Sequence, residues 1–247
     1  MADATVSGET IREAEAAHFG ALAHDWWDAS GSSAMLHRLN PVRLAFIRDA
    51  IDRHWGGDAA SLSPLTGRSA LDVGCGAGLL CEPLARLGAR VTGVDAAPEN
   101  IAAAQDHATG SGLAIDYRQG ELASLGLGKF DLVCSMEVIE HVADKPAFIA
   151  ALAARLAPGG LMVLSTPNRT AASRLLLVGA AETIGMIPKG THRWGDFVTP
   201  DELREMMAEA GLEMGQPKGI SWSPAKGLAL SADLSLNFIV TATAARP

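Results

Sequence analysis

The chain has 247 residues, enough for one α/β domain with additions and for a sizeable buried core. Hydrophobic residues make up 48% and charged residues 19%, which excludes a disordered chain and a coiled coil. A formal net charge of −8 excludes a general nucleic-acid binder, which needs a basic footprint.

The N-terminal stretch up to Phe19 has neither a basic region nor an apolar core of the secretory type, so no signal peptide is read there. Residues 10–28 and 41–55 read as helices, the second opened by Pro41 after Asn40. A loop rich in Gly, Ser and Pro from Gly56 to Gly67 leads into a first strand, Ser69–Val73. Helix Gly78–Leu87, strand Arg90–Val94, helix Ala97–Ala108 and strand Ala114–Arg118 follow. Strand Phe130–Ser135, helix Lys145–Leu156 and strand Leu161–Ser165 complete a βαβα rhythm, which predicts a parallel sheet with helices on both faces. The rhythm breaks over Thr166–Phe197. It resumes with a helix, Thr199–Ala210, whose Thr199, Pro200 and Glu202 spell a capping box. Leu212–Pro217 and Asn237–Thr243 read as closing strands. Cys75, Cys81 and Cys134 form no CxxC pair, which argues against a disulfide framework and a cysteine-rich zinc site and suits a reducing cytoplasm.

The sharpest chemical signal is Leu71-Asp72-Val73-Gly74-Cys75-Gly76-Ala77-Gly78, which follows a strand and opens a helix. Glycines there let the backbone turn sharply and let a ligand approach closely. The next strand ends in Asp95, about 20 residues beyond Gly74, where a carboxylate accepts hydrogen bonds from ribose hydroxyls. A dinucleotide fingerprint places its third glycine one residue later. Asp72, two residues before the first glycine, would repel a pyrophosphate but suits the ammonium of a methionine moiety. Spacing and charge together favour S-adenosylmethionine over NAD as the cofactor.

This stretch resembles motif I of the class I methyltransferases. Lys129-Phe130-Asp131-Leu132-Val133 is similar to the superfamily's fourth-strand motif, and Leu156-Ala157-Pro158-Gly159-Gly160-Leu161 to its turn before strand five. The flanks point further. Trp26-Trp27-Asp28, Leu36–Arg43, Met136–Val142, Ser165–Arg169 and Ile187–His192 resemble signatures of the ubiquinone-biosynthesis O-methyltransferase family. The resemblance covers nearly the whole chain. It implies a doubly wound, mostly parallel, seven-stranded Rossmann-like sheet. Residues 1–60 would form a helical cap, 68–165 the cofactor-binding core, 166–197 an apolar insert, and 198–247 a closing helix and strands. It also implies in-line methyl transfer to hydroxyls of a 2-polyprenyl-6-hydroxyphenol and a 3-demethylubiquinol. The cofactor would be held by Arg43, Gly74, Asp95 and Met136, with Asp72 and Gly76 of the loop beside them.

Glu137, Glu140 and His141 would share one face if helical. The resemblance implies that these three hold a divalent ion, magnesium, which would ease deprotonation of a phenol. Alternatively His141 is itself the general base, with Glu140 beside it. In a third reading the cluster only shapes the pocket. Cys75 reads as a small packing residue and no covalent nucleophile is needed.

In the insert, Arg174–Ile187 is apolar over about 14 residues, too short to span a bilayer. Flanked by Arg169, Arg174, Lys189 and Arg193, it reads either as a peripheral membrane contact or as a lid on the protein's own core. Such an enzyme would work in the cytoplasm, at the inner face of the membrane, alone or within a biosynthetic complex. Two other functions compete: a methyltransferase of the same fold for another small phenol or amine, and a catalytically silent scaffold subunit.

Overall fold

The computed structural model of the protein describes residues 10–31, 33–58, 60–176, 194–225 and 227–245. β1 (Ser69–Val73), β2 (Arg90–Asp95), β3 (Asp116–Gln119), β4 (Phe130–Met136) and β5 (Leu156–Pro167) lie parallel. They are followed in the chain by β6 (Leu212–Met214), β7 (Gly219–Ser223), β8 (Gly227–Ser231) and β9 (Asn237–Ala244). The main sheet has seven strands in the order β3-β2-β1-β4-β5-β9-β6, with β9 antiparallel to both neighbours. β7 and β8 form a separate two-stranded ribbon.

The central strands are apolar on both sides because helices cover both faces. Alternate residues of β5 divide between the two layers, as a period of two requires. Leu161 and Val163 face Phe46, Ile47 and Ile51 of α2 (Ala34–Trp55). Leu84 of α3 (Cys81–Arg86) and Ala104 of α4 (Pro98–Gly110) join that layer. Met162 and Leu164 face Ile149 and Leu152 of α5 (Lys145–Ala154). The short α6 (Ala171–Ser173) follows β5, and Leu203 and Met207 of α7 (Pro200–Glu209) complete the second core. α1 (Glu13–Ala21) lies ahead of both layers. The capping box forms as read: Glu202 Oε2 accepts from Thr199 N–H at 2.9 Å, and Thr199 Oγ1 accepts from Glu202 N–H at 3.3 Å.

The structure moves several expected boundaries. α2 begins at Ala34, so Pro41 lies inside the helix and not at its start. An interior proline costs about 3 kcal/mol through its missing N–H and ring clash. Tertiary packing overrides that here, because the same helix buries Phe46, Ile47, Ala50 and Ile51 in the core. α3 begins at Cys81, since residues 76–80 are still turning out of the glycine loop. β5 starts at Leu156, where it already pairs with Phe130. β6 ends at Met214. The β7–β8 ribbon falls where the sequence reading placed no strand: Ile220-Ser221-Trp222-Ser223 alternates over only four residues, and Leu228-Ala229-Leu230 does not alternate polar with apolar. In the insert, Arg174, Leu175 and Leu176 are described, while 177–193, and with them most of the expected membrane segment, lie outside the described residues.

Candidate active site

The strand order reverses between β1 and β4, and ligands of open α/β sheets bind in the crevice at such a point. A cavity of about 610 Å³ opens there, within the range of small-molecule sites. Val73, Asp95 and Met136, at the carboxyl ends of β1, β2 and β4, lie on its wall.

The glycine loop is fixed from both sides. Gly74 and Gly76 have φ of +73° and +53°, the left-handed region that favours glycine. A Cβ on Gly74 would stand 2.3 Å from Val138 Cγ2, and one on Gly76 would stand 2.5 Å from Trp26 Cη2. Gly76 N–H donates to Asp95 Oδ2 at 2.8 Å. Asp95 Oδ1 accepts from Ala97 N–H at 2.9 Å and from Asn100 Nδ2 at 3.1 Å. Asp95 thus ties the loop to the start of α4, and burial raises its pKa. Trp27 Nε1–H donates to Ala77 O at 3.0 Å, and its ring stacks on His107 at 3.4 Å.

Asp72 is buried, and among the described residues only the Cys81 thiol donates to it, at 3.3 Å. Burial pushes its pKa up to about 7, and no cationic side chain among the described residues pairs with it. A cationic group in the cavity would relieve that charge. Arg43 is buried opposite, its Nη2 2.9 Å from Glu137 Oε1. Arg43 Nε and Nη2 have no aligned acceptor, so donor capacity remains for an anion. An ammonium beside Asp72, a carboxylate near Arg43 and a ribose near Asp95 are the polar groups of S-adenosylmethionine. The cavity fits that cofactor. The Cys75 thiol is buried and pushed up to about 11, as suits a packing residue.

The Glu-x-x-Glu-His cluster is not the single helical face that the spacing suggested. Glu137 has a φ of +56° at the end of β4, and a single 3₁₀ turn spans only Ile139–His141. Glu137 Oε1 is engaged by Arg43 and accepts from Ser165 Oγ at 2.7 Å. Glu140 is buried, its Oε2 accepting from Thr166 Oγ1 at 3.0 Å and its Oε1 without a hydrogen bond among the described residues. Burial and the nearby Glu137 hold its pKa well above the usual carboxylate range. His141 Nε2 lies 3.9 Å from Glu140 Oε1. Among the described residues no three carboxylate, imidazole or thiol groups converge to hold a metal ion. In this arrangement Glu137 faces Arg43, so the magnesium set expected at Glu137, Glu140 and His141 is not assembled among the described residues.

Sequence reasoning missed the residues that reach this site from afar. Glu15 Oε2 lies 3.0 Å from His141 Nδ1 across 126 residues of chain, and Phe19 meets the His141 ring edge-on at 4.9 Å. No local spacing signals either. Asn100, buried against Asp95, follows Pro98 in the first turn of α4 and could have been found from that helix start.

The comparisons agree with this geometry. A family model described as a methyltransferase domain matches residues 39–216. The ubiquinone biosynthesis O-methyltransferase of Azorhizobium caulinodans is 48% identical over 94% of this chain and 93% of its own length. That of a Methylobacterium species is 46% identical over 96% of each. Among solved structures, the magnesium protoporphyrin IX methyltransferase of Synechocystis with bound SAM aligns over 98% of this chain and 99% of its own. Its TM-score is 0.61 at 20% identity, a likeness of fold. A SAM-dependent methyltransferase from Aquifex aeolicus aligns over 90% of this chain and 97% of its own, with a TM-score of 0.60 at 15% identity. A Rossmann-like sheet, a cavity shaped for S-adenosylmethionine and near-full-length relatives make this chain a SAM-dependent O-methyltransferase, and it belongs to the ubiquinone biosynthesis O-methyltransferase family.

Proposed function

We propose that the protein methylates ring hydroxyls of polyprenylated phenols and quinols, a 2-polyprenyl-6-hydroxyphenol and a 3-demethylubiquinol. The observation that carries this reading is the cavity itself. Asp72, Asp95 and Arg43 line its polar part, and Met35, Leu36, Leu39, Ile220 and Leu228 line an apolar part of the same space. When bound, S-adenosylmethionine supplies a sulfonium methyl that leaves its sulfur as an oxygen attacks in line.

The chain's residues have three tasks. Asp72, Gly74, Gly76, Asp95, Met136 and Arg43 bind and orient, which lowers the entropy barrier to reaction. His141 takes the phenolic proton as the oxygen attacks. Glu15, at His141 Nδ1, orients that ring, while Glu140 lies on its Nε2 side. The apolar wall excludes water from the reacting groups.

At the rim, Leu175 is 69% and Leu176 47% exposed beside Arg174. No described helix is long and apolar enough to cross a membrane. The proposal includes contact of this rim with the bilayer that holds the substrate, as basic and apolar residues together favour. Removing Arg174–Ile187 should then abolish binding to anionic liposomes. Full retention by a folded deletion variant would reject the contact.

The first test is methyl transfer from labelled S-adenosylmethionine to a short-chain 3-demethylubiquinol, with magnesium and with EDTA. Product in both arms is expected, together with a loss of about 100-fold or more in kcat for His141→Gln. Product only with magnesium would require Glu137 to leave Arg43 and would overturn the metal-free assignment. Near-full activity of His141→Gln would remove His141 as base.

A further inference from the structure

We propose that the β7–β8 ribbon and the first turns of α2 form the seat of the substrate's apolar tail, which leaves the cavity past Trp222. This rests on the function proposed above. It adds a specificity-determining surface that no sequence motif marked.

The ladder pairs Ile220 with Leu230 and Trp222 with Leu228. Directly paired residues of an antiparallel ladder share a face, as do positions two apart. One face of the ribbon therefore carries Ile220, Trp222, Leu228 and Leu230, and the other carries Ser221, Ser223 and Ala229. The apolar face is the inner one, since Ile220, Trp222 and Leu228 line the cavity. α2 packs against β8 and contributes Met35, Leu36 and Leu39 to the same wall. No charged side chain of β7, β8 or residues 33–39 lines the cavity. The charged lining comes from elsewhere: Arg12 and Glu15 near the N-terminus, Arg43 one turn further along α2, and residues from Asp72 to His141.

Burial along this face is uneven: it falls along β7 from Ile220 to Trp222, while on β8 Leu230 at the root is exposed and Leu228 near the turn is half-buried. Ile220 is 4% exposed, Leu230 38% and Trp222 67%. A two-stranded ribbon is marginal by itself and needs its apolar face covered. Its root is held: Ile239 N–H donates to Lys218 O at 2.7 Å, and Ile220 N–H donates to Asn237 Oδ1 at 3.0 Å. Beyond this root, α2 packs on β8, while Trp222 of β7 stays exposed. The space between ribbon and helix is continuous with the part of the cavity that holds His141 and Met136. An isoprenoid chain attached to a ring at His141 matches this strip in polarity. It would cover Ile220 and Leu228 and emerge beside Trp222 and Leu176, which also lines the cavity and is 47% exposed.

The test compares KM for 3-demethylubiquinols carrying no, one or two isoprene units in the wild type, Trp222→Ala and Leu228→Ser. Binding of S-adenosylhomocysteine checks the fold of each. In the wild type, KM should fall about tenfold or more from no unit to two, as burial of several methylenes requires. In both variants that ratio should shrink to about threefold or less. An unchanged ratio in both variants would overturn the tail seat, and if liposome binding or dimerisation fell instead, the ribbon would be a contact surface for a bilayer or a second copy. A wild type that methylates all three substrates with equal KM would overturn the seat but leave the proposed function standing. No methylation of any of them, with S-adenosylhomocysteine still bound, would overturn both.

Discussion

Asp72 is a carboxylate buried beside a thiol, with no cation paired to it among the described residues, so its ionisation works against the folded state. Its folded pKa, about 7, lies above the value of about 3.9 expected in the unfolded chain. The contribution to stability is therefore fully present below that unfolded value and is lost as pH rises through about 7. Asp72→Asn should raise the melting temperature of the cofactor-free protein at pH 8 relative to wild type, with little change at pH 4. The same variant should bind S-adenosylhomocysteine roughly 10- to 100-fold more weakly at pH 8, since a charged hydrogen-bond partner is lost. Equal melting shifts at the two pH values would contradict the assignment. Gly74→Ala should cost about 1–2 kcal/mol in backbone strain alone, plus the clash with Val138. Val138→Ala in the same chain should recover only the clash, measurable by denaturant unfolding. Asp72, Gly74 and Asp95 were legible in the sequence because strand, turn and acid lie in one short stretch. Glu137 was misread because its spacing to Glu140 and His141 suggests a helix, whereas the backbone at Glu137 is left-handed and turns the carboxylate to Arg43.

At the scale of elements, the box at the start of α7 is the device the sequence stated most openly. Thr199→Ala should cost about 1 kcal/mol, or about 2–4 °C in melting temperature for a domain of this size. α2 offers the opposite case. Pro41 leaves the helix without one N–H, so Pro41→Ala should stabilise the protein, by up to about 3 kcal/mol if packing is kept. A destabilised Pro41→Ala would mean that α2 is shaped around its proline. The central parallel strands β1, β4 and β5 were legible because burial on both faces makes them short continuous apolar runs, whereas edge strand β3, Asp116–Gln119, is mostly exposed and polar. The ribbon was not, because what distinguishes it is its pairing: its apolar residues find their common face only when β7 meets β8.

At the scale of the molecule, the N-terminal segment roofs the cavity and is fastened at separate points. Arg12 Nη1 meets Asp196 Oδ2 at 2.7 Å, Thr10 Oγ1 donates to Glu121 at 2.7 Å, and Ala143 N–H donates to Thr10 O at 2.8 Å. Glu15 and Trp27 add their bonds to His141 and Ala77. These fastenings are polar and partly exposed, so the roof should open at lower free energy than the sheet. Limited proteolysis should cut first within residues 10–33, faster in Arg12→Ala and slower with S-adenosylhomocysteine bound. The sheet and its cofactor crevice could be read from the alternation of elements, but this roof could not, because its bonds join segments 50 to 184 residues apart.

The position of β9 has a consequence for synthesis. It fills the slot between β5 and β6, both of which are made before it. A ribosome that has delivered everything up to β8 has therefore released a sheet with an open edge on β5 and, in β6, a strand with no neighbour. Until β9 pairs, that edge is available to any other extended chain, so β9 is the strand whose docking closes the sheet against edge-to-edge association.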